Sequence, residues 1–198
     1  GTESNNMALI GAALANKRAG NHIITTSIEH ASVSATTAYL EELGFRVTYL
    51  KVDADGIISL EELQEAVTEE TILVSLMMVN NETGHVLPVR EVFAAVKRRY
   101  PHIITHCDAV QAFMKYPVKA KQLFADFISV SGHKIHAAKG IGALYVKKGT
   151  KLRTYITGGK QESGRRGGTE SVPLIAGFGA AVEELLPGID ERFRYVSE

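Results

Sequence analysis

The chain has 198 residues, of which 45% are hydrophobic and 22% charged, the composition of an ordinary globular protein. Its 22 basic and 22 acidic residues cancel, which argues against a nucleic acid held mainly by charge. The single cysteine, Cys107, excludes an internal disulfide framework and favours a reducing compartment such as the cytoplasm. We expect no membrane association, because no apolar run approaches the roughly 20 residues that span a bilayer.

Short apolar strands alternate with helical patterns through the first half of the chain. Strands are predicted at His22–Thr26, Arg46–Leu50, Thr71–Val79 and His102–Cys107, and the segments between them have helical spacing as far as Arg99. This alternation predicts an α/β fold with a mainly parallel sheet flanked by helices.

The first predicted helix begins at Thr2 and ends at Gly20. Its N-terminus offers free backbone N–H groups and the positive end of the helix dipole, which suit a phosphate. Taken alone, these residues favour plain helix capping over a phosphate site. Because the chain opens in the middle of a motif, we expect it to be a piece of a longer protein.

The segment after the second strand imitates a calcium-binding loop. The matching positions are Asp53, Asp55, Gly56, Ile58 and Glu62. The first ligand position falls on Lys51, which cannot coordinate calcium, so we reject a calcium site. Ser59 and Glu62 instead predict a capping box for the next helix.

Polar side chains collect where the predicted strands end. They are His30, Asn81, Asp108, Gln111 and Lys134. In open α/β sheets, ligands bind at the carboxyl ends of the strands. A metal site at His102, His106, Cys107 and Asp108 is disfavoured, because neighbouring strand residues face opposite sides of the sheet. We therefore predict no metal, and we interpret Cys107 as a small buried side chain.

Ser131-Gly132-His133-Lys134 separates a strand at Phe127–Val130 from a second predicted buried strand at Ala143–Val146. A lysine amine at the end of a buried strand can attack a carbonyl, although an ordinary polar turn explains the same residues. The Gly-rich, basic stretch 158–171 suits either a flexible linker or anion binding. A helix then starts at Pro173, and we expect Pro187 and Gly188 to stop it.

A lysine, a strand-end carboxylate and a phosphate-binding helix start together suit an aromatic aldehyde cofactor that carries a phosphate. Pyridoxal 5'-phosphate fits this description. Lys134 would bind the aldehyde, and Asp108 would keep the ring nitrogen protonated so that the ring withdraws electrons.

The chain resembles the NifS-like cysteine desulfurases, which have the large-domain fold of class V, fold-type I transferases that use pyridoxal phosphate. The motifs that carry this resemblance are Gly1-Thr2-Glu3-Ser4-Asn5-Asn6, Glu29-His30, Val79-Asn80-Asn81-Glu82-Thr83-Gly84, Asp108-Ala109-Val110-Gln111, Ser131-Gly132-His133-Lys134 and Arg166-Gly167-Gly168-Thr169-Glu170. On this basis we expect a cofactor-binding large domain at residues 1–186. Residues 187–198 would begin the connection to a C-terminal domain that the chain does not contain.

The resemblance implies a role for each of ten residues. Lys134 would be the Schiff-base lysine, Asp108 the partner of the ring nitrogen, and His30 the stacked imidazole that also transfers protons. The remaining cofactor contacts would be Asn81 and Gln111 at the ring hydroxyl, and Gly1, Thr2, Ser131, His133 and Thr169 at the phosphate. Thr169 would reach the phosphate of a neighbouring subunit, which implies a homodimer.

The implied reaction converts L-cysteine to L-alanine and leaves a persulfide on an enzyme cysteine. A sulfur acceptor, such as an iron–sulfur scaffold protein or the tRNA thiolation machinery, would then receive the sulfur. In the family, the persulfide cysteine and the arginine that binds the substrate carboxylate belong to the C-terminal domain, so we expect this chain to be incomplete as an enzyme. Ala137-Ala138-Lys139 also replaces the usual Gly-Pro-Lys after the lysine motif.

Two other interpretations remain open. A related class V enzyme, either a selenocysteine lyase or an aminotransferase, would use the same cofactor on another substrate. A non-catalytic module would keep the fold without the chemistry.

Overall fold

A computed structural model describes residues 1–53 and 57–197. Its centre is a six-stranded sheet in the order β2-β1-β3-β4-β5-β6. The strands are β1 (His22–Thr26), β2 (Arg46–Leu50), β3 (Thr71–Met77), β4 (Ile104–Asp108), β5 (Phe127–Ser131) and β6 (Gly142–Val146). Neighbouring strands are parallel except for β5 and β6, which pair antiparallel. The predicted mainly parallel α/β fold is confirmed.

Eight helices connect and flank the strands in the described part of the chain. They are α1 (Thr2–Asn16), α2 (Ala31–Glu42), α3 (Leu60–Ala66), α4 (Val89–Arg99), α5 (Ala120–Leu123), α6 (Gln161–Gly164), α7 (Val172–Leu185) and α8 (Ile189–Ser197). Two 3-10 turns, Gly132–Ile135 and Leu186–Gly188, complete the regular structure of those residues.

The core has two layers, one on each face of the sheet. Alternate residues of β1 divide between them, with Ile23 packing on one side and Ile24 on the other. Helices α1 and α2 cover the Ile23 side, and helices α3 and α4 cover the Ile24 side. All residues of β1, β3, β4 and β5 are buried, as expected for parallel strands covered on both faces.

β6 is an edge strand, not the second buried strand that its apolar sequence predicts. Its residues alternate between half-buried and exposed, because it pairs only with β5. The first helix also ends earlier than expected, at Asn16 and not at Gly20. β4 begins at Ile104 and includes Asp108, which the sequence placed just after the strand.

The helix near the C-terminal end does not stop at Pro187 and Gly188. The 3-10 turn Leu186–Gly188 passes directly into α8, since proline is tolerated in a first helical turn. Val172–Tyr195 is consequently a 24-residue helical segment that is long and apolar enough to cross a membrane, by length and composition, and its most apolar stretch is not buried in the structure. The expectation that no segment reaches this length is therefore wrong.

Ser59 is the N-cap of α3, and its Oγ accepts a hydrogen bond from Glu62 N at 3.1 Å, which is one half of the predicted capping box. Asp55 and Gly56, two positions of the rejected calcium loop, lie outside the described residues. The predicted domain boundary after residue 186 falls in the turn Leu186–Gly188 and stays a prediction.

Candidate functional site

A cavity of about 970 Å³ opens at the carboxyl ends of the central strands. β1 lies between β2 and β3, so the loops that leave β1 and β3 run in opposite directions and create a crevice. All ten predicted cofactor residues line this cavity: Gly1, Thr2, His30, Asn81, Asp108, Gln111, Ser131, His133, Lys134 and Thr169. The fold therefore gathers residues that are far apart in sequence, while the role of each one stays a prediction.

Lys134 belongs to the 3-10 turn Gly132–Ile135, directly after β5. The turn packs closely, because a Cβ on Gly132 would lie 2.7 Å from Ile141 Cγ2. Its end is closed by His136 in a left-handed conformation, with φ 62°, and by a hydrogen bond from Ala137 N to Gly132 O at 3.1 Å. Ala137 and Ala138, which replace the family's Gly-Pro, thus leave a closed turn in place.

Asp108 is the last residue of β4 and is almost fully buried. Its Oδ1 accepts a hydrogen bond from Val110 N at 2.9 Å, and its Oδ2 accepts one from Asn5 Nδ2 at 2.7 Å. Burial raises the pKa of Asp108 in spite of these hydrogen bonds. Among residues 1–53 and 57–197, none of the ion pairs includes Asp108. A protonated ring nitrogen would supply the cation that this buried carboxylate lacks.

His30 is the N-cap of α2 as well as part of the cavity wall. Its Nδ1 accepts a hydrogen bond from Ser32 N at 3.0 Å and lies 2.8 Å from Ser32 Oγ. The sequence expectation of a histidine where a strand passes to a helix is confirmed. Because the cap fixes the ring, the opposite edge of the imidazole is held in place beside the cavity.

Gly1, Thr2, Ser131 and His133 meet where α1 begins beside the end of β5. Gly1 is the N-cap of α1, and a Cβ added to it would lie 3.5 Å from Ser131 Cβ. Ser131 Oγ is 2.8 Å from His133 Nδ1. Hydroxyl groups, an imidazole and a helix N-terminus are groups that bind phosphate. The arrangement therefore fits the phosphate of the implied cofactor.

The two neighbouring amides after β3 differ in environment. Asn80 is buried, and its Oδ1 accepts hydrogen bonds from Glu82 N and Thr83 N, both at 2.9 Å, so it shapes the turn. Asn81 is exposed and lines the cavity. Gln111 lines it as well and is half-buried. Only the second amide of the pair is thus placed to contact a ligand.

The Gly-rich stretch 158–171 forms one wall of the cavity. Arg166 Nε donates to Glu3 Oε1 at 2.8 Å, which ties this stretch to the first turn of α1. Thr169 is exposed at the cavity wall of its own chain. Its predicted contact with a neighbouring subunit stays a prediction.

His106 and Cys107 lie on opposite sides of β4, as strand alternation requires. His106 is fully buried, with its ring nitrogens 2.8 Å from Ser75 Oγ and 3.0 Å from Ser129 Oγ, and burial lowers its pKa to about 3. Burial also raises the pKa of the Cys107 thiol well above its usual value. The described residues contain no group of three or more His, Cys, Asp or Glu that could hold a metal ion.

Three side chains beside the site were given no role by sequence reasoning. Asn5 and Ser32 are buried between Asp108 and His30, and Glu29 is buried below the same loop. Glu29 Oε1 accepts hydrogen bonds from Thr26 Oγ1 at 2.7 Å and Met77 N at 2.9 Å. Asn5 and Glu29 do occur in the quoted motifs, but nothing in the sequence reveals which atoms they contact.

Fold and cavity together define a protein of the open α/β class with a cavity at the carboxyl edge of its sheet. The sequence matches the family "Aminotransferase class-V" over residues 1–191. The chain belongs to this family, which establishes the class that the resemblance implied.

Similar proteins within the family are cysteine desulfurases. The chain is 46% identical to "Cysteine desulfurase IscS" of Clostridium botulinum over 96% of its length, and 47% identical to that of Methanosarcina thermophila over 98%. In both comparisons it spans 48% of the relative, which is about half the length.

Solved structures of similar proteins share this fold and are likewise matched over about half of their own length. A NifS-like protein superposes with a TM-score of 0.92 at 43% identity, covering 96% of this chain and 52% of the other. SspA in complex with cysteine gives a TM-score of 0.85 at 44% identity, covering 92% and 52%.

Proposed function

We propose that the full-length protein is a cysteine desulfurase that uses pyridoxal phosphate to remove sulfur from L-cysteine and release L-alanine. The observation that carries this proposal is that Lys134 and Asp108 line the same cavity, together with the eight other predicted cofactor residues. The names of similar proteins support cysteine as the substrate, since the curated relatives are cysteine desulfurases and the similar protein SspA was solved in complex with cysteine.

Pyridoxal phosphate, when bound, supplies an aldehyde for an amine and a ring that withdraws electrons from the substrate Cα. Lys134 would hold the aldehyde carbon and afterwards move a proton at the substrate Cα. Asp108 would keep a proton on the ring nitrogen, and His30 would hold the ring by stacking and exchange protons with the substrate. Asn81 and Gln111 would orient the ring hydroxyl. Thr2, Ser131 and His133 would hold the phosphate.

We further propose that the cysteine that takes up the sulfur lies outside these 198 residues. Cys107, the only cysteine present, is 0% exposed inside β4 and has a raised thiol pKa. A thiolate is the nucleophilic form of cysteine, so a buried thiol of this kind is a poor sulfur acceptor. An iron–sulfur scaffold or another acceptor protein would then receive the sulfur.

We also propose that the full-length protein is a cytoplasmic homodimer. The resemblance supports a dimer through Thr169. The apolar side chains that α7 leaves exposed, such as Val172 at 68% and Ile175 at 43%, are consistent with contacts made outside this chain.

The test is to add pyridoxal phosphate to the full-length protein and record its absorption spectrum. We expect a long-wavelength band that Lys134→Ala removes, and conversion of L-cysteine to L-alanine with release of sulfide under reducing conditions. Selenocysteine as the sole substrate, or keto-acid products, would indicate a selenocysteine lyase or an aminotransferase instead. Failure to form the band, or a band that survives Lys134→Ala, would indicate a non-catalytic module.

A further inference from the structure

Asp108 and His30 are linked by an unbroken chain of hydrogen bonds beneath the cavity. Asn5 Nδ2 donates to Asp108 Oδ2 at 2.7 Å and to Ser32 Oγ at 2.8 Å. Ser32 Oγ in turn lies 2.8 Å from His30 Nδ1. This series of hydrogen bonds therefore joins helix α1, strand β4 and the start of helix α2.

The direction of each hydrogen bond follows from the groups involved. An ionised Asp108 only accepts hydrogen bonds, so the amide of Asn5 must turn its nitrogen, and not its oxygen, towards the carboxylate. The second N–H of Asn5 then occupies a lone pair of Ser32 Oγ. The hydroxyl of Ser32 is left to donate to His30 Nδ1, which also accepts from Ser32 N at 3.0 Å.

This direction fixes the tautomer of His30. A ring nitrogen that accepts two hydrogen bonds carries no proton, so the neutral imidazole holds its proton on Nε2. The position of the Asp108 carboxylate and the tautomer of His30 consequently depend on the same two side chains.

Packing alone does not explain Asn5. Its side chain is 0% exposed, and its Oδ1 has no hydrogen-bond partner within residues 1–53 and 57–197. A buried amide oxygen without a partner lowers the stability of the fold, and a leucine of similar size would avoid that loss. The amide is explained by the carboxylate and the hydroxyl that it holds.

We propose that Asn5 and Ser32 are positioning residues that couple Asp108 to His30 and orient both towards the bound cofactor. This inference rests on the proposed function, since it assigns the cofactor ring to the cavity between these side chains. Loss of Asn5 would free the carboxylate and remove the donor to Ser32 at once. Loss of the Ser32 hydroxyl would remove one of the two hydrogen bonds to His30 Nδ1 and leave one N–H of Asn5 without an acceptor.

The first experiment measures pyridoxal phosphate binding to the full-length protein by absorption titration. We expect Asn5→Leu to raise the dissociation constant about tenfold or more, because it removes a hydrogen bond to a charged group. Because the two residues act as one unit, the double variant Asn5→Leu/Ser32→Ala should bind no more weakly than Asn5→Leu alone. The matched controls Asn16→Leu, on the same helix, and Ser34→Ala, on the exposed side of α2, should bind as the parent protein does.

The second experiment reads the tautomer of His30 directly, by ¹⁵N NMR of histidine-labelled protein without cofactor. We expect an unprotonated Nδ1 in the parent protein and a shifted Nδ1 resonance in Ser32→Ala, because the hydroxyl donor is lost while the backbone N–H of residue 32 still donates. This measurement does not depend on cofactor binding, so it separates a failure of the network from a failure of the proposed function.

Independent, additive effects of Asn5→Leu and Ser32→Ala would overturn the coupling. A protonated Nδ1 in the parent protein would overturn the network itself. Circular dichroism identifies a variant that does not fold, and Ser32→Ala then provides the test that Asn5→Leu would have given.

Discussion

Glu29 has a carboxyl group whose ionisation opposes the fold. It is fully buried, and burial raises its pKa to about 8 even though Thr26 and Met77 donate hydrogen bonds to Oε1. Oε2 has no partner among the residues described, and Asp108 adds a nearby negative charge that also raises the pKa of Glu29. The neutral, protonated acid is therefore the form that this site favours.

Stability should fall with rising pH because of Glu29. Its pKa in the folded state lies above its value in the unfolded chain, so the folded state binds the extra proton between roughly pH 5 and 8. The stabilisation is complete below this range and is lost at about 1.4 kcal/mol per pH unit across it. Glu29→Gln, which mimics the neutral acid, should remove this slope, as urea unfolding at several pH values would measure. Parallel curves for the two proteins would contradict the assignment.

Cys107 should be replaceable. We expect Cys107→Ala in the full-length protein to keep its sulfur-releasing activity and to lose about 1 kcal/mol of stability, the usual cost of trimming a small buried side chain. Alanine production and urea unfolding would measure the two effects. Complete loss of alanine production in a folded variant would make Cys107 a participant and overturn the proposed position of the sulfur acceptor.

At the scale of elements, Asp126 binds four parts of the fold together. Its carboxylate pairs with Lys97 of α4 and with Lys147 after β6 at 3.1 Å, and it accepts a hydrogen bond from Thr105 N of β4 at 3.1 Å. Burial raises its pKa, but Lys97 and these other partners outweigh that effect and leave the pKa below its usual value. The residue lies just before β5, away from the cavity.

Removing Asp126 and removing Lys147 should lower the free energy of unfolding by very different amounts. Asp126→Ala leaves the ammonium of the largely buried Lys97 without its carboxylate and should cost about 3–5 kcal/mol. The side chain of Lys147 is 57% exposed, so Lys147→Ala should lower the free energy of unfolding by less than about 1 kcal/mol. Chemical denaturation of the two variants would measure this difference, and equal losses would show that burial does not control the strength of the pairs.

Sequence patterns predicted most elements and the location of the site, since buried strands and strand-end polar residues both leave a local signal. The strand-end pattern pointed to five of the ten cavity residues, and a family resemblance that rests on short, ordered motifs added the other five and gave each of the ten its role. Patterns failed where tertiary context decides: β6 is apolar yet lies at an edge, and Pro187 starts a helical turn where a stop was expected. The partners of Asn5 had no local signal, because they come from β4 and α2.

For the whole molecule, the amino ends and the carboxyl ends of the strands differ in what they contain. The amino ends carry buried networks such as His22, whose ring nitrogens lie 2.7 Å from Thr71 Oγ1 and 2.9 Å from Thr48 Oγ1. The carboxyl ends carry the cavity. Binding and stability should therefore respond to different substitutions.

A pair of variants tests this division. His22→Ala should lower the stability of the full-length protein by about 2 kcal/mol or more, because it removes the hydrogen bonds of the ring to Thr71 and Thr48 and leaves a cavity in place of a buried side chain, while its affinity for pyridoxal phosphate stays the same. Ser131→Ala should weaken binding about tenfold and change stability by less than about 1 kcal/mol. Unfolding curves and absorption titrations of both variants provide the four values. Equal effects on binding would contradict a functional division between the ends.

The order of the strands has one more consequence. The residues that line the cavity are spread along the sequence, from Gly1 to beyond Thr169. A single small molecule bound in the cavity would therefore touch segments from most of the polypeptide. Such a ligand acts as a removable cross-link, because every separation of these segments must first release it. Loading the protein with its cofactor should then slow digestion by proteases throughout the chain and not merely at the mouth of the cavity.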